Sequence, residues 1–179
     1  KEGYHTDFLY GGDINFTNMK SYLLESGYQN LTADTDFPMS QHQNAWGVND
    51  DITFDHLYQM IKDRRDSPWH TAFLTLSSHE PFEVPYHRLK EKQPNAFAFT
   101  DHCLGEFVER IRKTPVWNSL LIVCLPDHGF YYPAEGNGHD ARIHHIPMLW
   151  LGGAVKQPMV INQAVSYTHL RAHETEADL

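Results

Sequence analysis

The sequence has only two cysteines and no long apolar run. Cys103 and Cys124 form no CxxC pair and lack the spacing of metal ligands, which argues against a cysteine-ligated zinc site. Cys103 falls in a helical pattern and Cys124 in an apolar strand pattern, so we expect both thiols to be buried. No apolar run approaches the roughly 20 residues that a membrane-spanning helix needs.

Basic residues are also scarce. The chain contains 14 lysines and arginines against 23 aspartates and glutamates, which gives a formal net charge of -9. Because a nucleic-acid-binding domain normally presents a basic face, this balance predicts no nucleic-acid partner. The chain opens at Lys1 without an initiator methionine or a signal-peptide pattern, and we interpret it as a fragment of a longer protein.

Strand and helix patterns alternate along the chain. Strands are predicted at residues 6–10, 69–77, 119–125 and 146–151, and helices at residues 16–26, from 50 or 51 to 61, and at 95–113. The apolar run at 119–125 is typical of a central parallel strand that is buried on both faces, whereas residues 28–50 are polar and are predicted to be irregular. The βαβ spacing predicts an α/β domain with a mostly parallel sheet and helices on both faces.

The segment Pro126–Gly129 directly follows the third predicted strand. The Asp127 carboxylate and the adjacent His128 imidazole offer a hard oxygen and a borderline nitrogen to one metal ion, a pairing that suits zinc or manganese. Gly129 permits the close turn in which both side chains point at one ion. The alternative is a loop aspartate beside an exposed histidine. The position favours the metal site, because open α/β sheets bind ligands at the carboxyl ends of their strands.

Three further residues are candidates for contacts with a substrate. His79 follows the second predicted strand and could hydrogen-bond a transferred phosphoryl group or protonate a leaving group, or it could be a plain loop histidine. Asp13 follows a glycine pair after the first strand and could contact a polar substrate group, or it could cap the next helix. His139 lies in a histidine-rich loop that precedes the last predicted strand.

The final residues break the α/β pattern. From about Ala164 they resemble the translated sequencing-adapter tail that occurs on some assembled environmental genes. We therefore expect one partial domain at residues 1–163 and a non-native tail at residues 164–179.

Four segments together resemble the alkaline phosphatase and sulfatase superfamily, and within it the lipoteichoic-acid-synthase-like phosphoglycerol transferases. They are FLYGGDINFTNM at residues 8–19, LTLSSHEPFEVP at 74–85, the stretch from 96 to 129 that ends in DHG, and HHIPMLWLGG at 144–153. The resemblance implies an alkaline-phosphatase-like fold, of which this chain holds the C-terminal portion.

The resemblance also implies roles for single residues. Asp127 and His128 match an Asp-His pair that binds one divalent ion, with Mn²⁺ the first candidate and Zn²⁺, Mg²⁺ or Ca²⁺ the others. His79 matches a substrate-binding histidine, and Asp13 falls where an aspartate helps bind the headgroup. A glutamate ligand and a Thr or Ser nucleophile would lie upstream of Lys1. We therefore expect no catalytic nucleophile in this chain and no activity from the chain alone.

The activity implied by the resemblance is a two-step transfer through a phospho-enzyme. The enzyme would move a phosphoglycerol-type headgroup from a phospholipid to a glycan or lipid acceptor at the cell envelope. Full-length relatives carry N-terminal membrane helices, which implies a cell-membrane protein with an extracytoplasmic or periplasmic catalytic domain. Two alternatives stay open, namely a sulfatase of the same fold with a formylglycine nucleophile and a non-catalytic relative that binds headgroups.

Overall fold

A computed structural model describes residues 3–65, 68–130, 132 and 145–162. The chain divides into two compact units, Lys1–Trp117 and Asn118–Leu179. His139 and the tail predicted at residues 164–179 lie outside the described residues, so both remain predictions. In the described part of the chain, no helix is long and apolar enough to cross a membrane.

The first unit contains a parallel three-stranded sheet. Its central strand β1 (His5–Tyr10) pairs with β2 (Asn30–Thr32) on one side and with β5 (Trp69–Leu74) on the other. The consecutive residues Phe8 and Leu9 of β1 are both buried. Because successive strand side chains point to opposite faces, both faces of the sheet are covered.

Helices cover the two faces of this sheet. On one face Phe8 packs in a cluster with Leu23 of α1 (Met19–Ser26). On the other face Phe73, the neighbour of Leu9 in the sheet, contacts Phe54 of α2 (Asp50–Ile61) with ring centroids 4.8 Å apart. The predicted α/β class, with a parallel sheet and helices on both faces, is confirmed.

The longest helix is α3 (Lys92–Ile111), which packs against α2. Its buried residues recur at helical spacing: Ala96, Phe99, Cys103, Phe107 and Ile111. The helix begins three residues before the predicted start, because Pro94 lies in its first turn, where a missing N–H costs no hydrogen bond. The expected burial of Cys103 is confirmed, whereas Cys124 is only half-buried.

The region predicted to be irregular contains an unpredicted part of the sheet. Residues 28–50 include the edge strand β2 and a hairpin of β3 (His42–Asn44) and β4 (Gly47–Val48). The three residues of β2 are half-buried or exposed, so they lack the apolar pattern that marks a buried strand. Its position in the sheet depends on backbone pairing with β1, which sequence patterns do not encode.

The second unit has a two-stranded sheet formed by β6 (Ile122–Cys124) and β7 (Leu149–Leu151). These strands are antiparallel, so the prediction of a buried central parallel strand at residues 119–125 is wrong. Every second residue of the run is exposed by more than 40%: Leu121, Val123 and Leu125. An apolar run does not specify strand direction, and here the chain returns along β7 in the opposite sense to β6.

Candidate metal and substrate site

The Asp127–His128 pair follows β6 in the second unit. Both side chains are exposed, and His128 Nε2 lies 3.8 Å from Asp127 Oδ1. His128 Nδ1 lies 2.8 Å from the backbone carbonyl of Gly129. A carbonyl can only accept a hydrogen bond, so Nδ1 of the neutral ring carries the proton. The lone pair of Nε2 is then available to a metal ion.

This geometry fits two ligands of one ion. A metal ion binds imidazole nitrogen and carboxylate oxygen at about 2.0–2.2 Å, so two such bonds span a separation of 3.8 Å. Metal-bound histidines commonly donate their second ring N–H to a carbonyl or carboxylate, as His128 does to Gly129. Among the residues that the structure describes, no group of three potential metal ligands occurs, so Asp127 and His128 would supply only part of a coordination shell.

The same dipeptide occurs at two other places in the sequence, and both lie in helices. Asp55–His56 is part of α2, where Asp55 forms a 2.8 Å ion pair with Arg110. Asp101–His102 is part of α3, where His102 lies 3.6 Å from Glu106. Neighbouring residues on a helix point about 100° apart, so these pairs do not converge on one ion. Asp101–His102 is therefore a matched internal control.

Asp13 lies beyond the carboxyl end of β1 in the first unit. One of its carboxylate oxygens accepts hydrogen bonds from the backbone and the side-chain nitrogens of Asn15, at 2.8 and 3.0 Å. This turn precedes the first helical residues, and Asp13 is not the cap of α1, whose cap position is Asn18. The simple capping alternative for Asp13 is therefore not what the structure shows.

Asp13 lines an open depression with a volume of about 320 Å³. Aromatic and acidic side chains dominate its wall: Tyr10, Asp13, Phe16, Asp34, His42 and Trp46. Burial raises the pKa of the Tyr10 hydroxyl, and the negative charges of Asp13 and Asp34 raise it further. The depression is thus negatively polarised. This favours ligand groups that donate hydrogen bonds over bare phosphate oxygens.

His79 lies in the loop that follows β5 and has an exposed side chain. Its Nδ1 donates to the backbone carbonyl of Glu80 over 2.8 Å, because the carbonyl can only accept. The exposed Nε2 therefore acts as an acceptor in the neutral ring and as a donor in the imidazolium, which suits contact with a phosphoryl oxygen or a leaving group.

Trp46 connects His79 to the depression. Its Nε1 donates to the Glu80 carbonyl over 2.6 Å, the same atom that His79 contacts. The Trp46 ring packs edge-on against His79 and against Phe16, with centroid separations of 5.3 and 5.7 Å. The structure thus brings the surroundings of Asp13 and His79 together through Trp46. Trp46 is not among the predicted site residues, because it belongs to the segment predicted to be irregular.

The backbone after Asp13 has an unusual conformation. Thr17 and Asn18 have φ values of 52° and 62°, in the left-handed backbone region that residues other than glycine rarely adopt. The branched Thr17 is strained there, and such strain concentrates at functional segments. Met19 follows, and residues 13–19 contain no arginine. This segment therefore offers no guanidinium to a substrate phosphate.

The geometry can be compared with known proteins. The sulfatase family model matches residues 1–173. A curated phosphoglycerol transferase I from Xanthomonas campestris pv. campestris is 25% identical over 144 residues, which cover 71% of this chain and 20% of that protein. The chain thus spans about a fifth of the length of this curated relative.

Two solved structures resemble the chain. A protein of the alkaline phosphatase superfamily from Vibrio parahaemolyticus superposes with a TM-score of 0.73 at 27% identity, over 84% of this chain and 39% of that protein. The lipoteichoic acid synthase LtaP from Listeria monocytogenes superposes with a TM-score of 0.76 at 16% identity, over 88% of this chain and 45% of that protein. The likeness to LtaP concerns the fold alone.

Proposed function

Because the chain belongs to the sulfatase family, we propose that it acts within a divalent-metal-dependent transferase that moves a phosphoglycerol-type headgroup from a phospholipid to a glycan or lipid acceptor. The observation that carries this proposal is the exposed Asp127–His128 pair after β6, with His128 Nε2 available to an ion. The similarity to a phosphoglycerol transferase I supports the phosphoglycerol headgroup. We further propose that the transfer takes place at the cell envelope, on the extracytoplasmic side of the membrane.

Asp127 and His128 would hold the ion, with Mn²⁺ the first candidate because it accepts a mixed oxygen and nitrogen ligand set. When bound, such an ion stabilises negative charge on the transferred and attacking oxygens. The remaining ligand and the hydroxyl nucleophile are expected from residues outside this chain. We therefore propose that the chain alone is inactive and binds the ion weakly.

The first unit would recognise the headgroup. His79 Nε2 orients a phosphoryl oxygen or donates a proton to the leaving oxygen, while Glu80 holds the ring through Nδ1. Asp13 and the negative depression accept hydrogen bonds from the glycerol hydroxyls. A polyol end that donates hydrogen bonds suits this depression better than a second phosphate would, because Asp34 adds negative charge beside Asp13.

The test is diacylglycerol release from phosphatidylglycerol vesicles by the full-length protein, with and without Mn²⁺. The proposal predicts metal-dependent release that Asp127→Ala and His128→Ala reduce by at least about a hundredfold, since ligand loss costs more than a lost outer-shell contact. The double variant of Asp101 and His102 to alanine is the control and should keep wild-type release.

Each other outcome has a defined meaning. Release that persists in the Asp127→Ala variant would refute the metal site. Hydrolysis of an aryl sulfate, without diacylglycerol release, would assign the sulfatase alternative instead. Headgroup binding without either reaction would assign the non-catalytic relative.

A further inference from the structure

A chain of polar side chains, three of them buried and two half-buried, lies behind the contact between Trp46 and His79. Five residues form it: Asn44, Asn49, Asp50, Ser77 and Thr100. Asn49, Asp50 and Ser77 are exposed by only 1%, 0% and 2%. Burying polar groups is costly unless every partner is supplied, so a network of this kind restricts the conformations that its segments adopt.

One end of the network holds the turn that carries Trp46. Asn44 Oδ1 accepts hydrogen bonds from the backbone N–H groups of Trp46 and Gly47, at 2.7 and 3.0 Å. Asn44 Nδ2 donates to Asn49 Oδ1 over 2.6 Å. Asn49 immediately precedes α2, so the turn is tied to the start of that helix.

The other end holds the loop that carries His79. Asp50 Oδ1 accepts the backbone N–H groups of Leu76 and Ser77, at 2.8 and 3.2 Å. Thr100 of α3 donates to Asp50 Oδ2 over 2.6 Å. The backbone of His79 in turn donates to the Leu76 carbonyl over 3.0 Å. The position of His79 therefore depends on a loop that a buried carboxylate fixes.

Ser77 joins the two ends. Its hydroxyl accepts the Asp50 backbone N–H over 2.8 Å and donates to Asn49 Oδ1 over 3.4 Å. The two segments that the network ties down meet again at the surface, where Trp46 and His79 bond the same Glu80 carbonyl.

We propose that Asn49 and Asp50 are positioning residues that hold Trp46 and His79 as one preformed pair for the headgroup. This inference rests on the proposed function. Neither residue touches substrate, because both are buried beneath the two segments that do. Preformed contacts favour headgroup binding, because side chains that are already in place lose less conformational entropy when the headgroup binds.

The test compares three variants of the full-length protein. Asp50→Ala removes the acceptor of two backbone N–H groups. We expect it to raise the KM for phosphatidylglycerol by on the order of tenfold to a hundredfold, with a smaller change in kcat. Asp50→Asn keeps an oxygen for the same N–H groups, so we expect it to restore KM to within about threefold of the wild type. Ser77→Ala removes only the hydroxyl that joins the two ends of the network. It is the milder variant to use if Asp50→Ala does not fold.

Asn95 offers a matched control. It is also buried, its Oδ1 accepts the backbone N–H groups of Arg88 and Leu89 at 3.0 Å each, and its Nδ2 donates to the Tyr86 carbonyl. Asn95→Ala thus removes the same kind of anchor from a segment without His79 or Trp46. We expect it to lower stability and to leave KM unchanged. An equal rise in KM for Asn95→Ala and Asp50→Ala would overturn the positioning role.

A second readout needs no turnover. The Trp46 indole N–H signal in a ¹⁵N–¹H spectrum, assigned with Trp46→Phe, reports its bond to Glu80. We expect Asp50→Ala to move this signal and Asn95→Ala to leave it in place. An unmoved signal in Asp50→Ala overturns the inference. If Asp50→Ala moves the signal but the wild-type protein releases no diacylglycerol, the result contradicts the proposed function instead.

Discussion

Substitution of two buried aspartates by asparagine should change the pH dependence of the protein's stability in opposite directions. Asp7 in β1 is 4% exposed and forms an ion pair with Arg64, whereas Asp50 is fully buried and accepts bonds from neutral groups. Burial opposes ionisation of Asp7, but the hydrogen bonds from Arg64 and Asn30 outweigh it and lower its pKa. Burial raises the pKa of Asp50, although bonds from Thr100 and the backbone oppose the rise.

The directions of these two pKa shifts determine how the stability of the fold depends on pH. The lowered pKa of Asp7 means that its contribution to stability is present above the unfolded value near 3.8 and is lost as pH falls through the folded pKa. The raised pKa of Asp50 means the reverse: its contribution is present below the unfolded value and is lost as pH rises through the folded pKa. Ionisation of Asp7 therefore stabilises the fold, whereas ionisation of Asp50 opposes folding.

The substitution to asparagine removes each charge and keeps one oxygen acceptor. Asp7→Asn removes the charge that faces a buried guanidinium and should cost about 3 kcal/mol at pH 7. Asp50→Asn should change stability by less than about 1 kcal/mol, because the acceptor for Leu76 and Ser77 remains. For a protein of 150–250 residues, 1 kcal/mol corresponds to about 2–4 °C in Tm, so Asp7→Asn should lower Tm by roughly 6–12 °C.

Thermal unfolding of both variants and the wild type, measured from about pH 2 to 8, provides the assay. The Tm of Asp7→Asn relative to wild type should fall as pH rises toward 3.8 and then level off. The Tm of Asp50→Asn relative to wild type should rise as pH increases above 3.8. Parallel pH profiles for the two variants, or a large loss of Tm in Asp50→Asn at pH 7, would refute this reasoning.

Three further predictions test other parts of the structure, the first of them with a control variant. Gly47→Ala should destabilise the protein by about 1–3 kcal/mol in urea unfolding, because Gly47 has a φ of +140° and a Cβ would collide with the Gly11 carbonyl. Gly105→Ala is its control and should stabilise by about 0.5–1 kcal/mol, since it lies in α3 and a Cβ there meets nothing within 4 Å. Burial raises the pKa of the Cys103 thiol to about 12, so a thiol reagent at pH 8 should label Cys103 only after unfolding; fast labelling of the native protein would contradict its burial. Trp46→Phe loses the indole donor and should raise the KM for phosphatidylglycerol about two- to tenfold, and an unchanged KM would remove Trp46 from the headgroup site.

Local patterns predicted the elements with strong apolar periodicity. Helices α2 and α3 were recognisable because their buried residues recur at helical spacing. Gly27, which ends α1, has a left-handed conformation with a φ of 97°. The candidate pair Asp127–His128 was recognisable because it directly follows an apolar run.

Features that depend on distant segments could not be predicted. The edge strand β2 is short and polar, and its place in the sheet is specified by pairing with β1. The direction of β6 depends on where the chain returns as β7, which composition does not encode. Trp46 and His79 are 33 positions apart, and only folding brings them to one carbonyl. Asp50 resembled an ordinary helix-starting aspartate, although its carboxylate reaches two other segments.

The assignment of Asp127 and His128 as metal ligands is tested most directly by titrating metal-free, full-length protein with Mn²⁺ in an isothermal calorimeter. We expect one ion per chain, an affinity at least about a hundredfold weaker in Asp127→Ala, and wild-type affinity in the matched variant Asp101→Ala. Equal affinities of wild type and Asp127→Ala would contradict the assignment of the pair after β6 as metal ligands.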